Sequence, residues 1–378
     1  MKRLINKIRN YVDQRYLKKY VDNRYWQLAN NFEDKVTTLL IEEFPKLIDE
    51  YYSWMDVEME KKTNPPFYIF TRHKITRYIY KINDCIIDPK YNWVILGRQK
   101  IFRYSYPLIE DPWDTNKPRP SVIDNLFRKK IIRLEKGILV KYLCTNYFHF
   151  FIDGLPELFL CDDFGIPEDV PLIVPYNFNK FPYVVDYFNK FPSKRKIIIQ
   201  ERDQYLNVGE LYIAKDIFCS KYISTINNNI RKKGISNQIQ NLDSPEFLFV
   251  VRKRNSFRSV SNCDEIEQIA KDNGFAVMEP GDYSWEEQVK LFSKAKKIIG
   301  IHGAGMTNII FCQNEKVRVL EVYPGKDFTP EHYKNICIQL NYDYSFIEGE
   351  GLDSKLQFHI DKELFTRSVQ KLILEHSL

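Results

Sequence analysis

One stretch limits what this chain can fold into more than any other: Ile298-Ile-Gly-Ile-His-Gly-Ala-Gly-Met-Thr-Asn308. An apolar run, Ile298 to Ile301, stops at His302 and two closely spaced glycines, Gly303 and Gly305. A short apolar segment then begins at Met306. The pattern predicts a buried strand, a tight turn and the start of a helix. A helix start offers backbone N–H groups and the positive end of the helix dipole, which suit a phosphate. Gly303 and Gly305 would let a diphosphate come close to the backbone. The competing reading is a tight strand–helix turn around a buried histidine.

The flanking pattern extends this into a domain. Phe247-Leu-Phe-Val-Val251 reads as a buried strand, and Asp264 to Lys271 as a helix with Ile266 and Ile269 facing in. Phe275-Ala-Val-Met278 is a further strand. Ser284 with Glu287 three residues on forms a capping box, opening a helix whose inner stripe is Trp285, Val289 and Phe292. Val317 to Val322 is another strand. This alternation predicts a parallel, doubly wound α/β sheet. Ligands in such sheets sit beyond the carboxyl ends of the strands, where His302 and Glu321 fall.

The remainder divides less sharply. Residues 1–62 read as a helical extension, with Ile5, Ile8 and Val12 at helical spacing and a second piece carrying Leu40, Phe44, Leu47, Ile48 and Tyr51. The opening helix is basic. Over residues 1–24 it either lies on an anionic membrane surface or packs its stripe on the domain or on a second copy of the chain, as a homodimer. Short strands are expected at Phe67–Phe70, Tyr78–Tyr80, Trp93–Leu96, Val170–Val174 and Lys196–Ile199. Residues 227–245 are polar and rich in breakers, a linker between domains. The expected domains are therefore 63–235 and 236–378, with the last helix assigned either to the second domain or back to the first.

Composition removes several classes. A chain of 378 residues suits about two domains, and 44 % hydrophobic residues is ordinary for a globular protein. No run of 18 apolar residues suggests a membrane span, and the first residues lack the apolar core of a signal peptide. Seven cysteines are scattered without a C-x-x-C pair, so neither a disulfide framework nor a zinc site is indicated. A reducing cytoplasm is the expected compartment. The net charge of +6 is spread along the chain, and no nucleic-acid module is evident.

Three groups of residues could carry chemistry. Arg252, Arg254 and Arg258 follow the Phe247 strand and emerge at the same edge as the glycine turn. Charge-assisted bonds from guanidinium to phosphate contribute roughly 1.5–3 kcal/mol each, more than the helix-dipole effect of about 0.3–1 kcal/mol. Glu321, at a strand end, could accept both hydroxyls of a ribose. His149 and Asp153, four apart in the aromatic segment Asn146 to Pro156, share a helix face and suit a general base for an acceptor hydroxyl. No D-x-D metal motif, no G-x-S-x-G and no Walker A sequence occurs. The glycines at 300, 303 and 305 reverse the order of the dinucleotide fingerprint, which makes a nicotinamide enzyme a weak candidate. A non-catalytic glycan- or nucleotide-binding module of the same fold remains an alternative.

Taken together, these blocks resemble glycosyltransferase family 61. They are Tyr147-Phe-His149 with Asp153, Arg252 to Arg258 with Asn262, His302-Gly-Ala-Gly-Met-Thr-Asn308, and Val319-Leu-Glu-Val-Tyr-Pro324. Phe148 interrupts the commoner Tyr-His pair, and Cys263 stands where an acidic residue is usual. The resemblance implies a GT-B architecture, two Rossmann-like domains facing a cleft. It implies inversion at the anomeric carbon, no essential metal and no cofactor beyond the nucleotide-sugar donor, a UDP-sugar by preference. Carried over, Arg252, Arg254, Arg258, Asn262, His302, Gly303, Ala304, Gly305, Met306, Thr307 and Asn308 fall on the donor side. Glu321 falls at the ribose, and His149 and Asp153 on the acceptor side. The partners implied are the sugar nucleotide and a glycan or glycolipid acceptor, with the enzyme cytoplasmic or peripheral at a membrane surface.

Overall fold

The computed structural model describes residues 27–29, 36–44, 75–97, 100–102, 130–140, 146–215, 220–254, 258–325, 331–351 and 357–374. The chain falls into two compact units, with the main boundary between residues 217 and 218. The basic opening helix expected over residues 1–24 and the strand expected at Phe67–Phe70 lie outside the described residues.

The first unit is built on a mixed sheet. Its strands are β1 (Gln27–Ala29), β2 (Val36–Phe44), β3 (Ile75–Ile87), β4 (Val94–Leu96), β5 (Lys100–Phe102), β6 (Lys130–Leu139), β7 (Leu172–Pro175), β8 (Ile197–Gln200) and β9 (Gln204–Lys215). The order is β1-β5-β4-β3-β9-β6-β7-β8, with β2 beside β3. Strands β9, β6, β7 and β8 run parallel to their neighbours, while β3, β4 and β5 extend the sheet antiparallel. β2 corrects the helix expected through Leu40 and Phe44. Val36, Thr37, Thr38 and Ile41 are β-branched, and such side chains favour a pleated surface over a helix.

Between β6 and β7 the chain forms α1 (Tyr147–His149), a π-helical turn (Phe150–Gly154) and α2 (Leu155–Asp163). α3 (Pro182–Lys190) follows β7. Rings from these segments interlock: Phe150 meets Phe151, Tyr187 and Phe188 at 4.7, 5.5 and 6.3 Å between centroids. This packing fixes the backbone that carries His149 and Asp153.

A buried arginine closes the loop after α2. Arg195 donates to Asp162 Oδ1 from Nη2 at 2.8 Å and from Nε at 3.1 Å. It also donates to the carbonyls of Ile166, Pro167 and Val170. One guanidinium thus satisfies three main-chain acceptors that would otherwise be stranded.

The second unit matches the sequence expectation closely. After α4 (Ser220–Lys232) and α5 (Ile235–Gln238) come β10 (Phe247–Val250), α6 (Cys263–Asp272), β11 (Ala276–Met278), α7 (Trp285–Ser293), β12 (Lys297–Ile301), a 3-10 helix (Ala304–Phe311), β13 (Arg318–Tyr323), α8 (His332–Leu340), β14 (Asp343–Glu348) and α9 (Lys362–Ile373). The five strands form one parallel sheet, β11-β10-β12-β13-β14. The capping box at α7 is present: Ser284 N donates to Glu287 Oε2 at 2.7 Å, and Ser284 accepts from Glu287 N at 3.3 Å.

Two boundaries move. The expected linker is largely helical and belongs to this unit. Asn227 Nδ2 on α4 donates to the carbonyls of Ile310 and Cys312, both at 2.8 Å, tying α4 to the end of the 3-10 helix. The last helix, α9, stays with the second unit. Phe365, Val369 and Leu372 pack in one cluster with Phe249, Ile299 and Leu320. Lys297 Nζ and Arg318 Nη1 cap the last carbonyls of α9, on Ile373 and Leu372.

The Arg195 clamp gives the first expected outcome. Arg195→Ala should lower stability by about 2–4 kcal/mol, read from the urea midpoint, because it strands buried acceptors. A shift below about 0.5 kcal/mol, ordinary for a surface site, would show that solvent replaces the guanidinium.

Candidate functional site

In the second sheet the chain proceeds outward to β11 from β10, and outward in the other direction from β12 through β13 to β14. The order therefore reverses between β10 and β12. A crevice opens at such a switch point, beyond the carboxyl ends of the two strands. Arg252 follows β10 and His302 follows β12, so topology alone brings the arginine loop and the glycine turn together.

Close contacts confirm the juxtaposition. Arg252 Nη1 donates to the His302 carbonyl at 3.2 Å. The same guanidinium lies over Gly303, where a Cβ would collide with Nη1. Gly303 is extended, at φ 161°, so the close approach and not the backbone angle requires glycine here. A Cβ on Gly305 would stand 2.6 Å from Pro280 Cγ, and one on Gly300 would meet Met306 Sδ. Tyr333 OH donates to the Gly303 carbonyl at 2.6 Å, which fixes the turn from the α8 side.

The electrostatics of the arginines are unfavourable as they stand. Burial, and next the charge of Arg258, lower the Arg252 pKa, with Tyr333 and Glu279 acting weakly the other way. Burial likewise lowers that of Arg258. Among the described residues no carboxylate lies within ion-pair distance of Arg252, and its Nε, buried, has no hydrogen-bond partner. Arg258 holds a left-handed backbone, φ 63°, which costs a non-glycine residue on the order of 1–3 kcal/mol. Two crowded guanidinium groups, one on a strained residue, form a place where an anion would relieve the cost of burial.

Several residues expected at the donor have other partners. Arg254 pairs with Asp264 at 2.5 Å and Glu267 at 3.5 Å on α6, out on the surface. Asn262 is pinned to the main chain of Ile360, donating to its carbonyl at 2.9 Å and accepting from its N–H at 3.1 Å. Met306, Thr307 and Asn308 are buried, and Asn308 Nδ2 donates to Gln288 Oε1 at 2.8 Å. These residues shape the turn from beneath. Ala304 and Gly305, half-buried, lead the 3-10 helix that replaces the expected α-helix. The leading N–H groups of a helix lack carbonyl partners within it.

Glu321 departs most from its expected place. It is fully buried. Its Oε1 lies 2.5 Å from His302 Nδ1, and Tyr344 OH donates to Oε2 at 2.6 Å. The carboxylate is thus turned to histidine and tyrosine inside the unit, not to a ribose at the rim. The strand alternation of β13 shows why: Glu321 sits mid-strand, paired with Gly300 and Phe346, with Val322 and Tyr323 still to come.

The first unit carries its own polar pair. His149 Nδ1 lies 2.5 Å from Asp153 Oδ2. The pair is partly exposed, 30 % and 16 % by side chain. Asn146 caps the turn by accepting from His149 N at 2.9 Å. Asp153 belongs to the π-helical turn, a distortion frequent at functional sites. The segment follows β6 in a βαβ unit, on the edge of the sheet where ligands sit.

These features define a parallel α/β protein with an anion site at its switch point and a separate histidine–carboxylate pair. The family model described as Glycosyltransferase 61 matches residues 147–319. Over that span the chain is recognised as glycosyltransferase family 61, which supports glycosyltransferase activity in general terms, with a sugar donor and a glycan acceptor. No curated protein matches the chain.

The glycine contact is directly testable. Gly303→Ala should displace Arg252 and lower affinity for inorganic pyrophosphate about tenfold or more, the worth of one charge-assisted bond. The thermal midpoint should hardly move, since the backbone at 303 is extended. Unchanged pyrophosphate affinity would separate Arg252 from anion binding.

Proposed function

We propose that the protein is an inverting, metal-independent glycosyltransferase. It transfers a sugar from a nucleotide sugar, a UDP-sugar by preference, to a hydroxyl of a glycan or glycolipid acceptor. The observation that carries this reading is the meeting of Arg252, the Arg258 charge and the Gly303 turn at the switch point of the second sheet. In this reading the second unit takes the donor, the first unit takes the acceptor, and the two are the Rossmann-like halves of a GT-B enzyme.

The chemistry follows from these residues. Asp153, or His149 held against it, removes the proton of the acceptor hydroxyl as the oxygen attacks the anomeric carbon. The bond to the diphosphate breaks on the opposite face, which inverts the configuration. Negative charge then grows on the departing diphosphate, where Arg252, Arg258 and the start of the 3-10 helix stabilise it. Fixed donors of this kind are worth on the order of 10²–10³ in rate each. The guanidinium groups take the part a divalent cation would play. We place the enzyme in the cytoplasm, where residues 1–24 would meet an anionic membrane surface or a second copy of the chain.

Arg258→Ala should reduce transfer from a UDP-sugar by roughly 10²-fold or more, with the urea midpoint little changed. Asp153→Asn should abolish hydrolysis of the UDP-sugar in the absence of acceptor while nucleotide binding persists. Full activity in Arg258→Ala would reject the role of the arginine. Nucleotide binding without turnover on any acceptor would favour a non-catalytic module.

A further inference from the structure

The interior of the second unit holds a polar chain that the proposed chemistry leaves unused. Tyr323 OH and Tyr344 OH are 3.0 Å apart, Tyr344 donates to Glu321, and Glu321 meets His302 Nδ1. Glu321 and Tyr344 are buried, and His302 is 4 % exposed. The groups around the imidazole are Glu321 and Tyr323 from β13, Tyr344 from β14, His332 and Tyr333 from α8, and Arg252 after β10. The ring stacks on Tyr323 with centroids 5.4 Å apart and 28° between planes. Burial, and then the Glu321 charge, hold the Tyr344 pKa well above its ordinary value, so its hydroxyl stays a donor. The same two causes raise Tyr323.

A buried carboxylate is costly unless its oxygens are satisfied and its charge answered. Placing one against a histidine that immediately precedes the Gly303 turn therefore calls for a purpose beyond packing. Carboxylates in this position fix which ring nitrogen carries the proton and how the ring is turned. With Nδ1 engaged by Glu321, Nε2 is the nitrogen left to act on a ligand. In the doubly protonated ring both nitrogens donate, and an ionised Glu321 supplies the balancing charge.

We infer that Glu321 and Tyr344 are positioning residues that act through His302, setting its ring so that Nε2–H donates to the donor's diphosphate beside Arg252. The inference rests on the donor site proposed above. It gives Glu321 a task other than ribose recognition. No bond is made or broken in this step, and the proton on Nδ1 stays shared with Glu321.

The test is a double-mutant cycle on UDP affinity by calorimetry, with the thermal midpoint measured for every variant. Glu321→Gln should weaken UDP binding about tenfold or more, the size of one charge-assisted bond. Tyr344→Phe, which removes only a hydroxyl, should weaken it less. His302→Ala with Glu321→Gln should bind UDP no worse than His302→Ala alone, since a residue acting through His302 has nothing left to position. Additive losses, or 2′-deoxy-UDP losing its sensitivity to Glu321→Gln, would assign Glu321 to direct ribose contact and overturn the inference. Nitrogen-15 spectra of the histidines supply a readout that UDP binding does not touch. The wild-type His302 signal should show a proton on Nδ1 that changes in Glu321→Gln. If wild-type protein fails to bind UDP, the donor site is wrong, while the spectra still decide whether Glu321 sets the ring. An Nδ1 signal unaffected by Glu321→Gln overturns the inference in either case.

Discussion

The contact between the Arg252 guanidinium and the His302–Gly303 main chain is the interaction on which the second unit's site depends. It joins the ends of β10 and β12, the two strands that flank the reversal of sheet order. It requires glycine at 303, because any Cβ there would occupy the place of Nη1. It also leaves a cation half-buried beside a second one. Such an arrangement is costly for an isolated protein and favourable once an anion is bound. Stability and function draw on the same pair of charges in opposite directions, as is usual where a fold is shaped around a ligand.

The supports for that contact come from several elements. Met306 fills the space above Gly300, and Asn308 locks the 3-10 helix to α7 through Gln288. Tyr333 on α8 reaches back to the Gly303 carbonyl. Asn262 is committed to the main chain at Ile360 and so steadies the loop that delivers Arg258. Many residues of the motif thus work by holding the backbone in place. Only Arg252, Arg258, Ala304 and Gly305 remain as surfaces for direct contact with a ligand, with His302 behind them.

The second unit was legible because its signals are local. Apolar runs of four to six residues alternate with amphipathic helices, and the capping box at Ser284 marks a helix start without any tertiary information. The His149–Asp153 pair was legible for the same reason, since a spacing of four places two side chains on one face. The first unit was harder to read. β2 was taken for a helix because Leu40 and Phe44 also fit helical spacing, and a strand declares itself only when β3 is there to pair with it. The polar segment around Asn227 reads as a linker until its amide is seen to close the carbonyls of Ile310 and Cys312, some eighty residues on.

By itself the amino-acid sequence determined the alternation of strand and helix in the later part of the chain, the glycine turn and the clustering of arginines after β10. These follow from periodicity, and periodicity is a property of neighbours along the chain. Tertiary structure alone decided the partners of each charge. Arg254 went to α6, Asn262 to the main chain of Ile360, and Glu321 to His302 and Tyr344. A side chain's partner depends on which strands lie side by side and how deep the position is buried, and neither is written in the spacing of residues.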